Sequence, residues 1–207
     1  MKNISAATIA VLVVVFSGCT TSLPQPEFYS LSSEMPLEVM PSKKLGGTVR
    51  ILNFTAAAPF SEQFIAYRSD PYRLHYDRFR RWVGPPSELV QELVIDYLRE
   101  SGLCEAFVTS DGALEAEYKL RGRVREFYEL DAQEGMWAVC KLELCLSDRG
   151  GNSVISHVTR NKVEATRDKD LTGLAEAMSK AVRLSVESFL VEANRKFKPS
   201  TKGRDTE

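Results

Sequence analysis

The chain has 207 residues, enough for one domain of ordinary size with a real hydrophobic core. Its 27 Lys and Arg are balanced by 28 Asp and Glu, a net charge of −1, which gives no global case for binding nucleic acid. Only two histidines, His75 and His157, are present, and neither has a carboxylate or cysteine at ligand spacing.

The chain opens with Lys2, an apolar run from Ile4 to Phe16, and then Ser17-Gly18-Cys19. A cationic start, a short apolar core and small residues before a cut site describe an export signal over residues 1–18. A cut that ends on a cysteine is the bacterial lipoprotein pattern, so Cys19 is expected to carry lipid, palmitate included, and to become the first mature residue. Phe16 stands where this pattern usually has Leu. A transmembrane anchor is the rival reading, but the run is too short to span about 30 Å of hydrocarbon comfortably. Secretion without lipid after a cut at Gly18 is the other.

Residues 19–27, small, polar and broken by proline, read as a lipidated tether. Phe28 to Leu31 is a short strand candidate, Pro36 to Gly47 a loop, and Thr48 to Phe54 a strand rich in β-formers. Phe64 to Arg68 and Arg73 to Phe79 flank Ser69-Asp70-Pro71-Tyr72, which predicts a hairpin. Pro85-Pro86-Ser87 opens a helix that Gly102 closes, with Leu89, Leu93, Tyr97 and Val90, Val94, Leu98 on one broad apolar face.

Leu103 to Val108 reads as a connection. Three strands follow: Tyr118 to Phe127, with Leu120, Gly122 and Val124 alternating against Lys119, Arg121, Arg123 and Arg125; Trp137 to Ser147; and Val154 to Thr166 after a turn at Arg149 to Asn152. The spacing of Leu171, Leu174, Met178, Val182, Ser185 and Phe189 predicts a second helix over residues 171–194. Residues 195–207 read as a disordered tail. The fold class expected is α/β: a two-layer sandwich of a mainly antiparallel sheet with two helices packed on one face, forming one domain over residues 28–194.

The sequence contains no phosphate-binding glycine loop, no nucleophile elbow and no zinc-binding His-Glu-x-x-His helix. The expectation is a protein that is not an enzyme, with no cofactor, no metal site and no catalytic residue. Cys140 and Cys145 lie five residues apart on one strand and so point to opposite faces, too far apart for a disulfide. Cys104 sits just after the first helix and could approach Cys140, but two buried thiols are the simpler expectation.

Lys119, Arg121, Arg123 and Arg125 form a basic stripe for which Glu143 and Glu164 are candidate cross-strand partners. Arg78, Arg80 and Arg81 cluster beside Trp82, a combination typical of interface hot spots. With Tyr72 they make the candidate contact surface for a partner.

The ordered segments resemble the ABC-type transport auxiliary lipoproteins, the PqiC-like proteins among them. The resemblance is carried by Phe28-Tyr29-Ser30-Leu31, Tyr67-Arg68, Pro71 to Leu74 and Arg81 to Pro86. It continues through the Leu89 to Leu98 helix, Ser101-Gly102-Leu103, Leu120 to Val124 and the Leu142 to Asp148 strand, with Cys104 where an aromatic is expected. It implies a periplasm-facing lipoprotein held at the outer membrane by the lipid on Cys19. The implied partners are an MCE-type substrate-binding protein and an inner-membrane ABC permease and ATPase that together move lipid. Thr20 agrees with outer-membrane sorting, since Asp directly after the lipidated cysteine is the usual inner-membrane retention signal.

This reading makes the chain a non-catalytic binding and scaffolding component and leaves room for a homo-oligomer. The alternative is an envelope-assembly or synthase-activating structural lipoprotein, which an adjacent transporter operon would argue against. A further reading gives the domain a lipid pocket between helices and sheet.

Overall fold

The structure, a computed structural model, describes residues 25–42, 44–109, 115–166 and 171–197. The signal segment, Cys19, most of the tether and residues 198–207 lie outside the described residues.

Among the described residues, nine strands and two helices follow one another: β1 (Glu27–Tyr29), β2 (Leu45–Ile51), β3 (Thr55–Ala56), β4 (Phe64–Arg68), β5 (His75–Trp82), α1 (Pro86–Ser101), β6 (Cys104–Thr109), β7 (Tyr118–Ala132), β8 (Gly135–Asp148), β9 (Ser153–Ala165) and α2 (Thr172–Lys196). A single 3-10 turn, Ala58–Phe60, follows β3. The predicted hairpin, both helices and the three long strands are all present, and Gly102 closes α1 in the left-handed region at φ 62°. The segment read as a connection after α1 is strand β6, running parallel to β2 with Leu45 opposite Cys104 and Val49 opposite Phe107. Its residues show no clean alternation, and its partner is more than fifty residues away, so local pattern could not find it.

Strand β7 is the spine of the sheet. One edge pairs antiparallel with β8 along its length, and β9 continues that meander. The other edge is shared in turn by β2, β3 and β4, all parallel to it. Outside these, β6 extends from β2, β5 pairs antiparallel with β4, and β1 runs parallel to β5. The two-layer α/β architecture is therefore as expected, with a sheet that is mixed rather than mainly antiparallel away from the meander.

Both helices cover one face. Leu120, Val124 and Phe127 of β7 and Cys140, Leu142, Leu144 and Leu146 of β8 share a core with Leu93, Val94 and Tyr97 of α1 and Met178, Val182 and Phe189 of α2. The pairing shift at Arg125, between Val124 and Glu126, is a bulge that reverses the alternation of β7. Phe127 therefore turns to the core, while Tyr128 turns to the outer face and stacks on Phe60 with 6.1 Å between ring centroids. Asn161 of β9 helps pin α2: its Nδ2 donates to the Ala181 carbonyl at 2.9 Å and to Ser185 Oγ at 2.8 Å. The helix runs to Lys196, two residues past the expected end, with an Arg195–Glu192 ion pair and two cations in its last turn.

Gly122 is required by packing. A methyl group there would overlap the ring of Phe54, which is buried and whose backbone N–H is held by Gln91 Oε1 at 2.7 Å. Gly122→Ala is expected to cost about 2 kcal/mol through overpacking. A urea titration checks this, and adding Phe54→Leu should recover part of the loss.

Candidate contact surface

The β4–β5 hairpin gathers most of the residues expected to carry function. In its turn, Asp70 Oδ1 accepts the backbone N–H groups of Tyr72 at 2.8 Å and Arg73 at 3.0 Å, a local side-chain cap that shapes the tip. Tyr72 is left 94% exposed.

The two strands do not match in length. Phe64 faces Arg81 and Ala66 faces Tyr76, so two steps along β4 correspond to five along β5. The excess is looped out around Asp77. Its Oδ1 accepts the backbone N–H groups of Phe79 (2.9 Å) and Arg80 (2.8 Å), while Oδ2 accepts Arg80 Nε at 2.8 Å. Burial pushes the Asp77 carboxyl up, but the Arg80 side chain and the two backbone N–H groups outweigh it and hold it below the ordinary carboxylate value. The loop turns Phe79 outward, 48% exposed, beside Arg78, which is exposed and makes no ion pair among the described residues.

Of the five residues expected to form the surface, Tyr72 and Arg78 are free at the hairpin's outer side. Arg80 is spent on Asp77, at 2.6 Å. Arg81 lies with its guanidinium 4.9 Å above the ring of Phe64. Trp82 must be removed from the surface. It is 2% exposed and packs edge-on to Phe127 at 5.2 Å between centroids, because the shift in β5 places it on the helix-covered face.

Sequence reasoning missed the exposed aromatics around them. Phe28 of β1 stands opposite Arg81, Phe64 of β4 lies under its guanidinium, and Tyr76 packs on Phe64 at 5.9 Å between centroids. The looping out of β5 is what assembles them, and only the Asp77-x-Phe79-Arg80 spacing hinted at it.

Elsewhere the surface is quieter. On the basic stripe Arg125 pairs with Glu143, its Nε donating at 2.7 Å, and Glu126 takes Arg160 and Lys141. Arg121 and Arg123 make no ion pair among the described residues and line an open groove with Thr55 and Cys145. His75 is exposed and stacked on Tyr67, and His157 Nε2 shares a 2.8 Å hydrogen bond with Ser188 Oγ.

Cys104, Cys140 and Cys145 are free thiols. Burial pushes Cys104 up to about 11 and Cys140 up to about 12, which suits small hydrophobes rather than nucleophiles. Among the described residues no His, Cys, Asp and Glu group is placed to hold a metal, and no helix is long and apolar enough to cross a membrane.

The family model of the ABC-type transport auxiliary lipoprotein component matches residues 29–188, most of the chain. The chain belongs to this family. No curated protein matches it in sequence. Among solved structures it is similar to protein XCC0632 from Xanthomonas campestris, described as a DUF330 member, at 18% identity and a TM-score of 0.68. That match covers 82% of this chain and 95% of the other. An uncharacterized protein is similar at 12% identity and a TM-score of 0.58, covering 83% and 98%. At these identities the likeness shows a shared fold. For this transport-auxiliary lipoprotein the whole β4–β5 hairpin lies within the matched residues, and its function must be argued from its side chains.

Proposed function

We propose that this auxiliary lipoprotein is a periplasm-facing, non-catalytic scaffolding subunit of an ABC/MCE-type lipid transport system, anchored at the outer membrane through lipid on Cys19. The observation that carries this reading is the family match over residues 29–188, and the lipoprotein pattern at Ser17-Gly18-Cys19 agrees with it. Energy would come from the ATPase of the system, and this chain's contribution would be position. The exposed residues of the β4–β5 hairpin, Tyr72 and Arg78 with the flanks of Arg80 and Arg81, are the contact surface we assign to it.

The test is a purification of the native lipoprotein from mild detergent, beside Cys19→Ala. The wild type is expected to sediment with outer membrane and to bring down an MCE-domain protein. Cys19→Ala should be soluble in the periplasm and should fail to support transport. Full function without the lipid would overturn the scaffolding reading, and co-purification with cell-wall synthases instead would favour an assembly role.

A further inference from the structure

The direction of β1 has a consequence for the hairpin. Because β1 runs parallel to β5, the chain before Glu27 enters the sheet from the side on which β5 begins. That is the side of the β4–β5 turn, residues 69–74. Sheet twist turns neighbouring strands by about 20°, too little to reverse this relation. The described chain therefore enters β1 from the side of the hairpin tip.

The distances agree. Phe28 is level with Arg81 and, through it, with Phe64. From Phe64 to the last paired residue, Tyr67, β4 advances about 10 Å, and the turn adds several more. Phe28 lies nine residues after Cys19, a span that, however the chain runs, reaches at most about 30 Å. An anchor at Cys19 thus leaves the tip free to touch the surface that holds the lipid.

The chemistry of the tip fits that surface. Residues 68–81 hold five arginines against two aspartates. Both aspartates are engaged within the hairpin, Asp70 by the turn and by Arg73 Nε at 3.7 Å, Asp77 by the looped segment, and the Arg73 side chain stays 77% exposed. Tyr72 offers an aromatic body and a hydroxyl, the pairing that settles at a membrane–water boundary. Arg73, Arg78 and exposed Phe79 lie behind it. The β7–β8 turn at the same end contributes exposed Glu134, so the favourable surface is confined to the hairpin.

We infer that the β4–β5 tip rests in the headgroup layer of the membrane that carries the anchor, with Tyr72 at the interface and Arg73 and Arg78 against lipid phosphates. This rests on the anchored reading above and names the occupant of the same surface: anionic phospholipid rather than the protein partner. The contact would fix the tilt of the domain, presenting its opposite end to the periplasm.

Tyr72→Trp in the full lipidated chain tests it. The chain is placed in phosphatidylethanolamine–phosphatidylglycerol vesicles containing brominated acyl chains. The added emission, over that of the parent chain, is expected to be quenched about twofold and shifted to the blue, as for an interfacial aromatic. Val158→Trp, on the outer face of β9, should be unaffected. In the unlipidated chain, Arg73→Gln with Arg78→Gln should weaken vesicle binding about tenfold or more.

Emission from residue 72 as unquenched as that from residue 158 would overturn the inference while leaving the scaffolding reading standing. A chain that takes up no labelled palmitate would overturn both. Tyr72→Ser with Phe79→Ser should likewise weaken vesicle binding of the unlipidated chain. Unchanged vesicle binding together with loss of partner co-purification would hand this surface to a protein.

Discussion

Trp82→Ala is expected to destabilise the fold by about 4 kcal/mol, a large share of the 5–15 kcal/mol that holds a typical domain together. Trp82 is the last residue of β5, almost fully buried, with its ring edge-on to Phe127 of β7. Its backbone N–H donates to the Gln63 carbonyl at 2.8 Å, fixing where the chain leaves the sheet before α1. Truncation removes the apolar contact and leaves a cavity between β5 and β7, since strands on both sides are tied into the sheet and cannot collapse into it. The check is a urea titration: the midpoint should fall with little change in slope.

The result bears on function. A variant with Arg80, Arg81 and Trp82 all replaced would confound lost contacts with lost stability. Only substitutions at Tyr72, Arg73, Arg78 and Phe79 read the surface itself. A stable Trp82→Ala protein that had lost its partner would reverse this assignment.

The different fates of these neighbours show what the sequence could carry. The apolar faces of both helices were legible because helical spacing is local: every residue of the 171-to-189 stripe is buried. The in/out alternation of β7 was legible as far as Val124. It failed beyond, because the bulge at Arg125 changes the phase and no residue type announces that. Trp82 was misplaced for the same reason, since the loop at Asp77 shifts the pairing of β5 against β4. Strand β6 and the parallel pairings of β7 depend on partners far along the chain, which periodicity does not encode. The hairpin was legible from its turn residues, but its relation to the tether needed the parallel register of β1.

The second large effect lies under the extended segment between β1 and β2. This stretch has no regular structure around residues 36–42, yet it is strapped along α2 by polar side chains. Arg183 Nη1 donates to the Pro36 carbonyl at 3.1 Å and to Glu38 Oε1 at 3.1 Å, and it pairs with Glu187 at 2.8 Å. Glu187 Oε1 in turn accepts the backbone N–H of Glu38 at 2.8 Å. Further along, Asn194 Oδ1 accepts the backbone N–H of Ser42 at 2.6 Å.

Arg183 and Glu187 are 5% and 6% exposed, so neither charge has water to fall back on. Nearby Tyr97 of α1 buries a hydroxyl with no hydrogen-bond partner among the described residues, and burial pushes it up to about 12. Glu187→Ala would strand the guanidinium beside only an exposed Glu38 carboxylate and one carbonyl, and would also free the Glu38 N–H. The expected cost is about 3–5 kcal/mol, the range for removing one partner of a buried pair. Removing both charges, as Arg183→Met with Glu187→Leu, should cost far less, since no ion is then left desolvated. Urea midpoints of the three proteins decide it, and limited proteolysis should cut the single variant first within residues 33–42. Equal losses in the single and double variants would mean that packing, rather than the stranded charge, holds the strap.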